Sequence, residues 1–406
     1  MRQNKALLFV FLVYLHSIRY FDWLKYNEKI GALISFLLGL LILLFFIFNK
    51  SQIRSLPYKH IILGFAFIPF LSILSCWLEN GQTINESLYV YIPFFFILVY
   101  TILSKYRIQE YEIVKYLTLF AVVRTGILIV EQFTYPHYWF AYRPEGYAPD
   151  GHFYGIEIRS GIMRFYIMDT YMSMFLVFYY FQKLFEKFKW TFLFLFLYGL
   201  LGVYLDQQRQ YIFSTILSLF IVSLFNSNAK YKLTIGTFVI LSIILLNIFG
   251  DTVFGEIISS TKEDTNSDNI RLMTYTIYGM NFWGGPLSYL FGNGFPAHTG
   301  EYSQAVNALK SMGYTQTDIG IVGLFSYYGF SMLFFFIYFY YYTFRKKWKY
   351  LDNHIRMFII ASVINLPLFT MFSCHLDSYP FWGIMLYLAD LSIIRNKNKI
   401  KLYGKI

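Results

Sequence analysis

The sequence predicts an all-α polytopic membrane protein of about 12 transmembrane helices, and three observations lead there. Of its 406 residues 57% are hydrophobic, only 14% are charged, and apolar runs recur from end to end. The charged share falls well below the roughly 25% of soluble domains, so the chain cannot hide its apolar surface internally. The Lys and Arg behind the net charge of +11 sit mostly in short connections between apolar runs, which reads as a topology signal rather than as nucleic-acid binding. Residues 1–406 are therefore read as a single transmembrane domain.

Each span needs about 20 apolar residues, because every backbone polar group must be satisfied inside the bilayer. Candidate spans lie near 6–22, 30–48, 60–78, 88–103, 113–130, 165–182, 190–205, 210–225, 232–249, 319–343, 355–373 and 379–394. The first apolar run lacks a small-residue cleavage site before Arg19 and Asp22, and is expected to remain as an uncleaved span. Basic connections carry Lys50, Arg54 and Lys59, then Lys105 and Arg107, then Lys183, Lys187 and Lys189, then Lys230 and Lys232, then Arg345 to Lys349. Between them, 79–87 and 374–378 hold no Lys or Arg. Positive residues stay in the cytoplasm, so the basic connections and the tail from Arg395 belong inside and the others outside. The connection 19–29 breaks the alternation, since Arg19, Lys25 and Lys29 fall where an external loop is expected.

Two connections are far longer than the rest, about 131–164 and 250–318, and both fall on the extracytoplasmic side. They are rich in aromatics, Gly and Arg rather than in disorder-promoting residues, so they are expected to be folded and functional. NIRLMTYTIYGMNFW from Asn269, broken by Gly284, Gly285 and Pro286, suits a short interfacial helix.

External cations are the informative residues: Arg143, Arg159 and Arg164 in the first long loop, Arg209 at a helix start, and Arg271 in the second loop. The planar guanidinium matches phosphate oxygens bidentately, so the set points to an anionic ligand, with headgroup anchoring as the plainer alternative. Asp206, three residues before Arg209, offers it a local ion pair. Arg124, inside the fifth span, is open to a buried pair with Asp169 or Glu131, or to a substrate role. Groups able to take a proton outside are Asp318, His298, Glu301, His152 and Glu157. Asp318 opens the tenth span, where a helix N-terminus favours an acid; an N-cap is the alternative reading. Tyr135, Tyr138, Trp139, Tyr142 and Trp283 offer faces for sugar rings, or form an interfacial belt.

Cys76 and Cys374 show no CxxC or metal-ligand spacing, and the acidic run at 263–268 reads as a solvated loop, so no metal and no cofactor are expected. Phosphate-binding GxxxxGK[ST], HExxH, GxSxG and the Rossmann glycine pattern are absent, which disfavours an ATP-driven pump or a soluble-type hydrolase.

Several segments resemble the O-antigen polymerase (Wzy) and O-antigen ligase superfamily, whose many-spanning members carry two large extracytoplasmic loops in these positions. They are QQRQYIFSTILSLF around Arg209, DNIRLMTYTIYGM at 268–280, LFGNGFPAH at 290–298 and TDIGIVGLFSYYGF at 317–330, with FYGIEIRSGIMRF at 153–165 a looser match. The resemblance implies that Arg209 and Arg271 bind a pyrophosphate; Asp318 is the catalytic candidate, and Arg159, Arg164, Arg143 and His298 are further candidates for substrate binding. Gln208 and Gln210 depart from the small residues that usually flank the helix-start arginine, and Asp318 stands where ligases often have a His-Asn pair. The Asp-Ile-Gly form is similar to exopolysaccharide polymerases.

The implied activity is joining of undecaprenyl-pyrophosphate-linked oligosaccharides at the outer face of the cytoplasmic membrane, without metal, cofactor or nucleic acid. A chain-length regulator protein is a further implied partner, besides the lipid bilayer. Two alternatives stay open: an O-antigen ligase with lipid A–core as acceptor, and a flippase or transporter. Arg124, Asp169, Pro69 and Pro367 favour the transporter, and the two long loops do not.

Overall fold

The computed structural model describes residues 2–18, 28–53, 55–134, 156–159, 162–165, 170–206, 208–225, 269–297, 299–367 and 378–403. The expected apolar spans are helical there over all or part of their length, while 232–249 lies outside the described residues, as does 19–27. Five helical stretches among the described residues are long and apolar enough to cross a membrane: Ile30–Asn49, Lys59–Asn80, Ile84–Tyr106, Glu110–Thr134 and Gly320–Tyr350. Trp190–Leu205 and Gln210–Leu224 are apolar but shorter. By internal contacts the chain divides into two compact units. One comprises Met1–Tyr116, Ile270–Ile355 and Asn365–Ile406, and the other Leu117–Asn269 and Arg356–Ile364.

The first unit opens with α1 (Arg2–Ser17) and α2 (Glu28–Asn49). Only 11% of the most apolar window of α2 is buried, and Leu33, Leu37, Leu41, Leu44 and Phe48 face outward. An outward face of that composition is stable only against lipid. Two helical stretches follow, each broken by a proline. Pro69 sits in a 3-10 turn between α3 (Lys59–Phe67) and α4 (Leu71–Asn80), and Pro93 in one between α5 (Ile84–Tyr91) and α6 (Val99–Tyr106). Lacking an amide hydrogen, proline fits the first turn of a new helical segment better than the middle of an old one. The stretch from Ile84 is 83% buried in its apolar window, which makes it the unit's central element. Thr83 and Glu86 start it with a reciprocal capping box.

The second long loop supplies α11 (Asn269–Thr276), α12 (Pro286–Phe291) and α13 (Glu301–Ser311), and then come α14 (Gly320–Tyr341), α15 (Asn353–Asn365) and α16 (Tyr379–Tyr403). α15 starts in this unit and belongs to the other from Arg356 to Ile364. Asp390 of α16 is buried, and accepts hydrogen bonds from the Tyr58 amide (3.0 Å) and the Tyr100 hydroxyl.

At the basic end of the unit, Arg395 bridges Glu110 and Asp352, and Asn396 donates to Asp352 at 3.2 Å. Burial by itself raises the Asp352 carboxyl, but His354, Arg395 and Asn396 hold it below the ordinary aspartate value. A carboxyl depressed by folding stabilises the fold above its unfolded pKa of about 3.9, and that contribution disappears as pH falls through the folded value. Asp352→Asn is therefore expected to flatten stability against pH below about 4 in thermal melts of the detergent-solubilised protein. An unchanged acid limb would rule this out.

The second unit takes α7 (Glu110–Thr134) from Leu117 onward, a hairpin of β1 (Ile156–Arg159) and β2 (Ile162–Phe165), and α8 (Tyr171–Glu186), α9 (Trp190–Leu205) and α10 (Arg209–Leu224). α7 runs four residues into the connection expected from 131, because Glu131 is buried in the helix rather than placed at a surface. The hairpin is antiparallel and pairs Glu157 with Arg164 and Arg159 with Ile162. Period-two alternation in IEIR is a strand signal.

Arg124 of α7 is fully buried; Nη1 donates to Ser173 Oγ of α8 (2.9 Å), and Nη2 pairs with Asp206 just beyond α9. The apolar run offered Arg124 to Asp169 or Glu131, and the Arg209 side chain, which local spacing offered to Asp206, lies outside the described residues. In the fold Asp206 closes on Arg124, because α8 and α9 fold back on one another and return the end of α9 to α7. Asp169 lies outside the described residues.

Candidate functional site

The described part of the second long loop, 269–297 and 299–319, is folded and is held to the end of α4 and the turn after it. Glu79 accepts from the Leu287 amide and the Ser288 amide (both 2.8 Å) and from the Ser288 hydroxyl. Asn80 donates to the Asn293 carbonyl (2.9 Å), and Gln82 both donates to the Phe295 carbonyl (3.0 Å) and accepts from the Ala297 amide (2.8 Å). The Tyr91 hydroxyl accepts from the Phe295 amide at 2.7 Å. Cys76 is a free thiol buried against Tyr302 and Val306 of α13. A surface loop carries many backbone polar groups, and these side chains satisfy the ones that burial would otherwise strand.

The loop also mends a break in α14. The helix is kinked at Gly329, whose φ of 63° and ψ of −163° interrupt the hydrogen-bond ladder. The carbonyls of Ser326 and Tyr327 instead accept from the amides of Asn293 (2.8 Å) and Gly294 (3.1 Å). Backbone meets backbone here: a Cβ on Gly329 would fall 2.5 Å from Gly292 N. The GNG of LFGNGFPAH thus docks on the broken helix.

Between these anchors lies a groove of about 320 Å³ lined by Asn80, Asn281, Phe282, Trp283, Gly284, Asn293, Glu301, Tyr302 and Ala305. A π-helical turn, Ile277–Asn281, delivers Asn281 to its rim; such insertions concentrate at functional sites. Asn293 is committed to the scaffold, accepting from the Gly284 amide and donating to the Phe282 carbonyl. Among the described residues, the Asn281 amide and the Glu301 carboxylate make no hydrogen bond or ion pair. Trp283 stacks on Tyr289 with centroids 4.5 Å apart, and Phe282 on Tyr302 at 6.0 Å.

The residues expected from sequence fall in different places. Arg271 is the third residue of α11, and Asp318 lies in the 3-10 turn Gln316–Ile319, both in the first unit. Their segments are joined through Tyr314, whose hydroxyl donates to Met273 Sδ (3.4 Å) and whose carbonyl accepts from Tyr278 (3.2 Å). Asp318 is not at the α14 N-cap, which is Ile319. Arg209 is the first residue of α10, while Arg159 ends β1 and Arg164 lies within β2, all in the second unit. Arg143, His298 and His152 lie outside the described residues. Glu301 and Trp283 come together in the groove. Asn80 and Asn281 escaped sequence reading; the glycine pair after Trp283 was the available signal that backbone approaches closely there.

Glu79→Ala is expected to loosen α12. It strands two amides and a hydroxyl at a cost of about 2–3 kcal/mol, read as faster hydrogen–deuterium exchange over 286–292. Exchange equal to wild type would refute the anchoring role.

Neither known protein families nor curated proteins match the sequence.

Proposed function

We propose that this chain is a polysaccharide polymerase of the O-antigen or capsule type, joining undecaprenyl-pyrophosphate-linked oligosaccharide repeat units at the outer face of the cytoplasmic membrane. In this reading about 12 helices span the bilayer and both long loops face the periplasm or cell exterior. The observation that carries the reading is the second loop. It is a folded segment leading into the apolar helix α14 that bears Arg271 and Asp318 and lines an open groove of amides, aromatics and one carboxylate. That lining suits saccharide, whose hydroxyls need directional partners and whose C–H faces need an apolar wall.

The reaction moves the growing glycan from its pyrophosphate to a hydroxyl of the next repeat unit. The acceptor oxygen bonds to the anomeric carbon, the bond to the pyrophosphate oxygen breaks with its electron pair, and the hydroxyl proton leaves to a base. Arg271 stabilises the charge on the departing pyrophosphate, and Asp318 holds or takes the proton. No nucleotide sugar enters.

The test is purified protein in liposomes with its lipid-pyrophosphate repeat unit and no other protein or nucleotide, followed by gel analysis of the glycan. A ladder reduced about 100-fold or more by Arg271→Ala is expected. Unextended repeat unit with wild-type protein, or a full ladder from Arg271→Ala, would overturn the proposal.

A further inference from the structure

The groove beside Asn281 differs in chemistry from the arginine positions, and the difference assigns it a ligand. Its lining holds one formal charge, the Glu301 carboxylate, and no Lys, Arg or His. A phosphate or uronate placed there would meet a like charge with no cation among the described lining residues to offset it. The partners on offer are the Asn281 amide and the Glu301 carboxylate, since the Asn80 Nδ2 is already given to the Asn293 carbonyl. A carboxylate only accepts, so it selects hydroxyl or ammonium donors, while an amide both donates and accepts. Phe282, Trp283 and Tyr302 form the apolar side. The volume, about 320 Å³, stands at the small end of ligand pockets and suits a short stretch of glycan rather than a long chain.

We infer that this groove is a saccharide subsite specific for an uncharged or amino sugar ring, with Glu301 excluding uronates and phosphates and Asn281 fixing the ring's orientation. The inference rests on the glycan-polymerase reading for its ligand class and on the groove for its selectivity.

The test is saturation-transfer NMR on the full chain in nanodiscs, with three separate probes: methyl N-acetylglucosaminide, methyl glucosaminide and methyl glucuronide. Transfer to the first two and little to the glucuronide is expected at neutral pH. Glu301→Gln should raise glucuronide binding about tenfold, and Asn281→Ala should weaken the neutral probe about fivefold to tenfold. Both positions are exposed, so the variants keep the fold. Glucuronide bound as well as the neutral probe, no transfer to any probe, or variants indistinguishable from wild type would each overturn the inference. Binding does not depend on turnover, so the two ideas fail separately. A ladder that needs Arg271, without glycoside binding in the groove, removes this inference and keeps the polymerase; selective binding without a ladder does the reverse.

Discussion

Arg124→Met is expected to destabilise the protein by about 3–5 kcal/mol, because it leaves the Asp206 carboxylate buried without the guanidinium that compensates it. Asp206 is 3% exposed and Arg124 is fully buried. Removing both charges together changes the sign of the argument. Two ions taken from water need their mutual attraction only to recover the desolvation cost, and apolar side chains of similar volume carry no such cost. Arg124→Met with Asp206→Leu should therefore recover most of the loss, short of the hydrogen bond to Ser173. Thermal melts of the detergent-solubilised variants check this. A double variant as unstable as the single one would show that the pair holds the unit together by more than charge compensation.

The second large effect is at Gly329. An alanine there must adopt a backbone conformation that L residues rarely take, at φ 63°. It must also place its Cβ 2.5–2.6 Å from Gly292 N, Leu290 C and Phe291 N, where rigid backbone cannot give. Both penalties act in the same place, so Gly329→Ala is expected to cost more than about 4 kcal/mol. Gly279→Ala is the control, since its Cβ would meet only Val322 Cγ1, at 3.3 Å. That variant should stay within about 1 kcal/mol of wild type. The recovery of monodisperse protein and its melting temperature distinguish the two. Equal behaviour would mean that the loop does not need the broken helix as its seat.

Much of the helical architecture was legible because apolar run length is a local property. Hydropathy alone delimits α2, α7 and the stretch from Gly320, and proline marks the breaks at 69 and 93. The helix from Asn269, and its end before the glycine pair, followed from the same local signals. Asp390 was not legible: one acid in an apolar helix gives no sign that its partners are the Tyr58 amide and the Tyr100 hydroxyl.

Composition and the spacing of apolar runs settle that this is a helical protein made for a lipid environment, and where most helices begin and end. Side-chain pairing is another matter, because it depends on which helices come together. Arg124 and Asp206 meet across 82 residues, and Glu79 reaches the Leu287 amide across 208. No pattern of period 3.6 encodes such distances. The groove exists only because α4, a π-turn and α13 converge, bringing Asn80, Asn281 and Glu301 to one place from three separate segments. Long-range packing chose those neighbours, since the burial of each apolar face constrains all the others at once.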